Sequence, residues 1–158
     1  VRFRIVAVGK GMPRPITQLC DDYAKRLKRH GGLEVIEIPE ARADREREAG
    51  RRQAMADEAQ RLLAKVPDGA LVVTLDRGGK LIDSEAFAAQ LGRWRDDGER
   101  SICFLLGGPD GLDDSVLTQA RFSLSFGPMT FPHPLARAML CEQVYRAVTI
   151  LERIPYHR

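Results

Sequence analysis

The last three residues, Tyr156-His157-Arg158, bring a phenol, an imidazole and a guanidinium together. Those groups stack on a nucleobase, move a proton near neutrality and hold a phosphate. A short chain end without an apolar face is expected to fray, so chemistry there needs a body that holds it down. A second candidate runs from Phe122 to Pro134, F-S-L-S-F-G-P-M-T-F-P-H-P. It begins as an alternating strand, breaks at Gly127-Pro128, and meets Pro132 and Pro134 around His133. Proline lacks an amide hydrogen and fixes φ, so neither a helix nor a sheet ladder continues through this stretch. Met129 and Phe131 are then large apolar side chains outside regular structure, placed to line a small-molecule pocket. His133, boxed between prolines, reads as a structural cap for the helix that follows.

Two glycine turns complete the set. Leu75-Asp76 leads into Arg77-Gly78-Gly79, and a strand ending at Leu106 leads into Gly107-Gly108-Pro109-Asp110-Gly111-Leu112. Ligands of open α/β sheets bind outside the carboxyl ends of strands, and glycines let backbone approach them, although glycines also simply make turns. Backbone groups of these loops could read an adenine edge while Leu75, Met129 and Phe131 sandwich the ring. The sequence has no G-x-x-x-x-G-K-[ST], H-E-x-x-H or G-x-S-x-G. The Gly9-Lys10-Gly11 turn lacks the third glycine of a dinucleotide fingerprint, Arg14 standing in its place. A nucleoside cofactor without phosphates fits better than a nucleotide, and an adenosine linked to methionine through a cationic sulfur is one.

The elements that must position these residues follow from periodicity. Phe3 to Val8 and Leu33 to Ile38 read as strands, while Ala70 to Leu75 and Ile102 to Leu106 are nearly or wholly apolar, as in a parallel sheet covered on both faces. Ile16, Leu19, Cys20, Tyr23 and Leu27 mark an amphipathic helix stopped by Gly31-Gly32, with Lys25, Arg26, Lys28 and Arg29 on its outer side and last turn. A helix over 52–65 turns Met55, Ala59, Leu62 and Leu63 inward; another, capped by Asp83 or Ser84, turns in Phe87, Leu91 and Trp94 and closes at Gly98. A short helix starts at Asp113 or Asp114, and the longest, 135–152, has Pro134 at its first position. Its stripe of Leu135, Met139, Leu140, Val144, Val148 and Leu151 is widened by Ala136, Ala138, Cys141 and Ala147, which suggests a subunit interface. The run from Ala41 to Gly50 is charged at nearly every position and reads as a solvated loop or frayed helix start that could clamp a substrate. Strand and helix alternate, so the fold class is α/β with a mostly parallel sheet.

At 158 residues, 44% hydrophobic and 30% charged, the chain suits one domain over 1–158. No apolar run approaches the roughly eighteen residues of a membrane span, and no signal peptide is visible, so a soluble, cytoplasmic protein is expected. Cys20, Cys103 and Cys141 are far apart and form no C-x-x-C, indicating neither disulfides nor a metal site. The net charge of +3 permits a nucleic-acid partner without requiring one.

The succession V-A-V-G-K, V-T-L-D, L-L-G-G-P-D-G-L, L-S-F-G-P-M-T-F-P-H-P, E-Q-V-Y-R-A and P-Y-H-R spans the whole chain in order. It resembles the ribosomal RNA large subunit methyltransferase H family, a minimal branch of the SPOUT methyltransferases. The resemblance implies an α/β fold with a C-terminal trefoil knot, a homodimer, and transfer of methyl from S-adenosylmethionine to N3 of a pseudouridine in the 23S rRNA of the ribosome. It further implies cofactor contacts from Leu75, Gly107, Phe126, Gly127, Pro128, Met129, Thr130 and Phe131. Arg146, Tyr156, His157 and Arg158 would serve substrate binding or catalysis. The family pattern varies at Gly127-Pro128, and a proline there changes which amides are free to donate.

N3 of a uracil-like ring is a poor nucleophile while protonated, so the reaction requires a base or a cation that favours the anion. His157 is the expected proton acceptor, Arg158 and Arg146 stabilise the imidate and phosphates, and Tyr156 positions the base. Two other classes are consistent with the residues: an RNA-binding module using the Lys25 to Arg29 helix and the Arg42 to Arg52 segment, and a flavodoxin-like nucleotide binder.

Overall fold

The computed structural model describes residues 1–158. Five strands, β1 (Arg2–Val8), β2 (Leu33–Ile38), β3 (Leu71–Leu81), β4 (Ser101–Leu106) and β5 (Phe122–Ser125), form one sheet in the order β2-β1-β4-β3-β5. Every neighbouring pair is parallel. Parallel neighbours need crossovers, which are supplied by α1 (Arg14–Arg26), α2 (Glu48–Leu63), α3 (Ser84–Asp96) and the single turn α4 (Asp114–Leu117); α5 (His133–Leu151) follows the last strand and packs back on α1 and α3.

Alternation along the strands divides the core into two layers. Phe3, Ile5, Ala7, Val73, Ile102 and Phe104 face α1, α3 and α5 on one side. Val6, Val8, Val72, Cys103 and Leu105 face α2 and α4 on the other. Both faces are covered, which is why these strands are apolar at successive positions. The hydroxyls of Thr74 and Ser123, paired across β3 and β5, lie 2.6 Å apart and satisfy each other inside the sheet. Burial keeps the Cys103 thiol protonated, its pKa pushed up to about 12.

Several boundaries differ from the sequence reading. β3 does not end at Leu75: both Leu75 and Lys80 pair with Leu124, so residues 76–79 form a bulge inside one long strand. The bulge closes because Gly79 lies against the backbone of β5, where an added Cβ would come within 2.7 Å of Ser123 and Leu124. α2 begins at Glu48, and its buried face is Ala54, Glu58, Ala59 and Leu62, with Met55 and Leu63 only half-buried. Leu19 and Leu135, assigned by spacing to apolar helix faces, are 45% and 40% exposed and line a groove with Met139; Ala138, Cys141 and Ala147 are core instead. Of the two candidate caps, Asp83 and Ser84, it is Asp83 that caps α3, accepting from the Ala86 amide at 2.7 Å, and Gly98 follows its end at positive φ.

Candidate active site

At the carboxyl ends of the strands a cavity of about 410 Å³ opens between β1, β3, β4, β5 and the start of α5. Its size lies in the range of small-molecule sites. Leu75, Gly107, Phe126, Gly127, Met129, Thr130 and Phe131 all line it, from three segments far apart in sequence. Pro128 does not line it; its carbonyl instead accepts from Arg77 Nη2 at 2.7 Å. That bond, with Ser125 Oγ donating to the Arg77 carbonyl at 3.3 Å and accepting from the Gly127 amide at 3.0 Å, ties the β3 bulge to the proline loop. The turn after β4 is equally tight: Gly111 donates to the Gly108 carbonyl at 3.0 Å, and a Cβ on Gly107 would sit 2.7 Å from Gly111. His133 is no cap. Pro132 occupies the N-cap position without any side-chain cap bond, and His133 lines the cavity from the first turn of α5.

The charge of the cavity favours a ligand without phosphates. Asp76 and Asp110 line it, while its two arginines are directed at protein acceptors, Arg77 at Pro128 and Arg137 at the end of β1. Arg137 is 3% exposed, donates from Nη2 to the carbonyls of Val8 and Gly9 at 2.7 and 2.9 Å, and pairs with Glu37 at 3.3 Å. Apolar walls from Leu75, Leu106 and Phe131 with the Asp76 carboxylate accommodate an adenine ring and a sulfonium, Asp110 being paired with Arg45; a polyphosphate would meet no free arginine there.

The second cluster lies farther along α5. Tyr156 packs edge-on against Tyr145 with ring centroids 4.8 Å apart, and its hydroxyl is 3.4 Å from that of Tyr23 on α1. Burial, reinforced by that hydrogen bond, pushes the Tyr156 phenol up to about 12. The Arg146 guanidinium sits over the Tyr156 ring at 4.8 Å, donates from Nε to Glu142 at 2.6 Å, and lies 2.9 Å from His157 Nδ1 through Nη1. An arginine only donates, so the network assigns the His157 lone pair to Nδ1 and its proton to Nε2, which is 3.5 Å from Glu85. The tail is therefore not frayed: aromatic packing and the Arg146 contact hold Tyr156 and His157, while Arg158 alone is exposed.

The family model described as "Predicted SPOUT methyltransferase" matches residues 1–157. The chain belongs to the SPOUT methyltransferase family. Proteins named ribosomal RNA large subunit methyltransferase H from Magnetococcus marinus and Rhodopseudomonas palustris strain HaA2 are 55% and 47% identical to it, covering 99% and 100% of this chain and 99% of each relative. Among solved structures, a probable methyltransferase from Bordetella pertussis Tohama I superposes with a TM-score of 0.53 at 19% identity, covering 93% of this chain and 94% of that one. A probable methylase family protein from Haemophilus influenzae Rd KW20 superposes with a TM-score of 0.52 at 15% identity, covering 99% and 70%. At such identities the structural likeness concerns the fold alone.

In this SPOUT methyltransferase the two clusters do not meet within one chain. Arg137 at the cavity and Arg146 at the tail are nine residues apart on α5, about 14 Å along the helix at 1.5 Å per residue. Between them runs an apolar groove of about 740 Å³, lined by Leu19, Leu81, Leu135 and Met139, which shares Ser125 and Phe126 with the cavity and Glu142 with the tail cluster. Sequence reasoning missed Glu142, Tyr23 and Tyr145. The i, i+4 spacing of Glu142 and Arg146 was a readable signal for the first; nothing local marked Tyr23, which reaches the tail across 133 residues. No cluster of three or more metal-ligating side chains occurs, and no helix is long and apolar enough to cross a membrane.

Proposed function

We propose that the protein methylates 23S rRNA at N3 of a pseudouridine in the cytoplasmic ribosome, using S-adenosylmethionine and working as a homodimer. The observation that carries this reading is the assembly of Arg146, Tyr156 and His157 into one polar cluster separate from an adenosine-sized cavity. The relatives' name, ribosomal RNA large subunit methyltransferase H, supports an rRNA substrate.

Leu75, Gly107 and the run from Phe126 to Phe131 hold the cofactor, Pro128 acting through the bond its carbonyl accepts from Arg77. When bound, S-adenosylmethionine supplies an electrophilic methyl on a sulfonium. The chain's own task is to present a deprotonated imide nitrogen. An imide edge places an N–H between two carbonyl oxygens; on binding it replaces the 2.9 Å Arg146–His157 bond, drawing the Arg146 donor onto a carbonyl oxygen and offering its N–H to the Nδ1 lone pair that this exchange frees. His157 Nδ1 takes the N3 proton, Arg146 stabilises the negative charge left on the imide oxygens, Tyr156 positions the base, and Arg158 meets a phosphate. Bond formation requires reacting atoms about 3–3.5 Å apart. The separation of the two clusters along α5 therefore favours a second copy, seated on the Leu19, Leu81 and Leu135 groove, as the source of the tail that serves each cavity. The C-terminal trefoil knot belongs to the same proposal; the reach of Arg137 from α5 back to the end of β1 is consistent with it.

Mass mapping of rRNA after incubating undermethylated ribosomes with protein and S-adenosylmethionine tests the substrate, and a single added methyl on a pseudouridine is expected. Removing residues 156–158 is expected to leave calorimetric binding of S-adenosylhomocysteine intact and abolish transfer. Unchanged turnover in the truncated protein would overturn the assignment of the tail, and a monomeric mass at micromolar concentration would overturn the dimer.

A further inference from the structure

The segment between β2 and α2 reads in sequence as solvated charge, yet Arg45 within it makes one of the most connected contacts in the molecule. Its guanidinium pairs with Glu58 Oε2 at 2.6 Å and Glu40 Oε1 at 3.4 Å, donates to the Ala41 carbonyl at 3.2 Å, and pairs with Asp110 through Nη1. The Arg45 carbonyl in turn accepts from Arg51 Nη1 at 2.9 Å, so the segment is fixed to α2 at both ends. Glu58 is 2% exposed, its Oε2 accepts from the Ala41 amide at 2.9 Å, and its Oε1 is buried without a hydrogen-bond partner.

That carboxylate stands directly behind the cofactor turn. A Cβ on Gly108 would lie 3.4 Å from Glu58 Oε1 and 3.0 Å from a Val8 methyl, so the turn is backed by both side chains. Internally the turn is rigid: Gly108 and Gly111 form a bridge, and Gly107 packs on Gly111. A rigid turn moves only as a unit, and its place relative to β3 and the proline loop is set by what grips it from outside. Asp110 is the one side chain of the turn that lines the cavity and is also held by a residue beyond it.

We propose that Arg45, oriented by the buried Glu58, is a positioning residue for the cofactor site, acting through Asp110 on the Gly107–Gly111 turn. The inference rests on the cavity being the cofactor site. Glu58 fixes the guanidinium by charge and by closing the Ala41 backbone over it; the guanidinium then fixes the turn. The tighter limit on residue 108 is Val8, whose methyl would lie 3.0 Å from an added Cβ, while Glu58 Oε1 at 3.4 Å would be in ordinary contact with it.

The test is a double-mutant cycle on the full-length protein, with S-adenosylhomocysteine as the calorimetric probe and thermal unfolding followed in parallel. Asp110→Asn removes the charge pair and keeps the Arg45–Glu58 contact, so its unfolding temperature should stay close to wild type while affinity falls about tenfold. Arg45→Gln should lose affinity to a similar extent, and the double variant should be no weaker than either single one. Arg45→Lys, which keeps the charge but not the fork, should fall between wild type and Arg45→Gln, and it replaces Arg45→Gln in the cycle should that variant fail to fold. Losses that add would show Asp110 touching the cofactor independently of Arg45, and affinities within twofold of wild type would show that the turn needs no outside grip; either result overturns the proposal. Absence of binding by the wild-type protein would overturn the cofactor reading itself, and this inference with it.

Discussion

Replacing Arg137 by methionine separates the structural tie between α5 and β1 from every other feature of the cavity. Methionine keeps most of the apolar stem and volume, so the loss is confined to polar partners. The carbonyls of Val8 and Gly9 lose donors at 2.7 and 2.9 Å, and Glu37 loses a cation at 3.3 Å. A buried acceptor left without its donor costs about 1–3 kcal/mol. Glu37 is 27% exposed on its side chain, so water recovers much of its share. The unpartnered Arg137 Nε offsets part of the loss, because that group already lacks a bond in the native state. The sum is about 4 kcal/mol, a substantial fraction of the 5–15 kcal/mol that holds a domain together. For a chain of this length that corresponds to a fall in Tm of about 8–16 °C. Urea unfolding at fixed protein concentration should show a lower midpoint with an unchanged slope. Glu37→Gln, which removes only the ion pair, should cost less than about 1 kcal/mol. A methionine variant destabilised by no more than that would show that the β1 carbonyls find other donors, and the reasoning about Arg137 would fail.

Two further outcomes follow from single contacts. The Tyr156 phenol, raised from 10 to about 12 by burial and then by Tyr23, should remain protonated at pH 10.5, roughly the point where free tyrosines ionise. Because its folded pKa is the higher one, its contribution to stability is complete below the unfolded value and disappears as pH rises through about 12. In an ultraviolet titration Tyr23→Phe should lower that midpoint only part of the way, since burial is the larger cause, and an unmoved midpoint would exclude the hydrogen bond. Asp83→Ala should cost about 1 kcal/mol by removing the cap on Ala86; denaturant unfolding indistinguishable from wild type would show that Ser84 or water replaces it.

The parallel α/β architecture was legible because two apolar strands separated by a capped helix leave a covered parallel sheet as the simplest arrangement. The cavity was legible because proline and glycine dictate backbone locally, and apolar side chains stranded between them need a use. Pro128 shows the limit of that logic: it belongs to the loop, yet its part is an acceptor for Arg77 from a bulge 51 residues away. His133 shows another, since a local cap was inferred and a cavity-lining side chain was found.

What the sequence determined by itself was what short-range chemistry and alternation decide: strand and helix types, a cap at Asp83 or Ser84, the glycine stops, and the glycine and proline loops that bear cavity residues. Tertiary structure alone decided the order β2-β1-β4-β3-β5, the gripping of the 41–47 segment by Glu58 and Asp110, the fastening of the tail by Tyr23 and Tyr145, and the separation of tail from cavity along α5. Those features depend on charges and rings brought together across tens of residues. A charged run carries no mark of which of its members will be solvated and which will be held by a buried carboxylate such as Glu58.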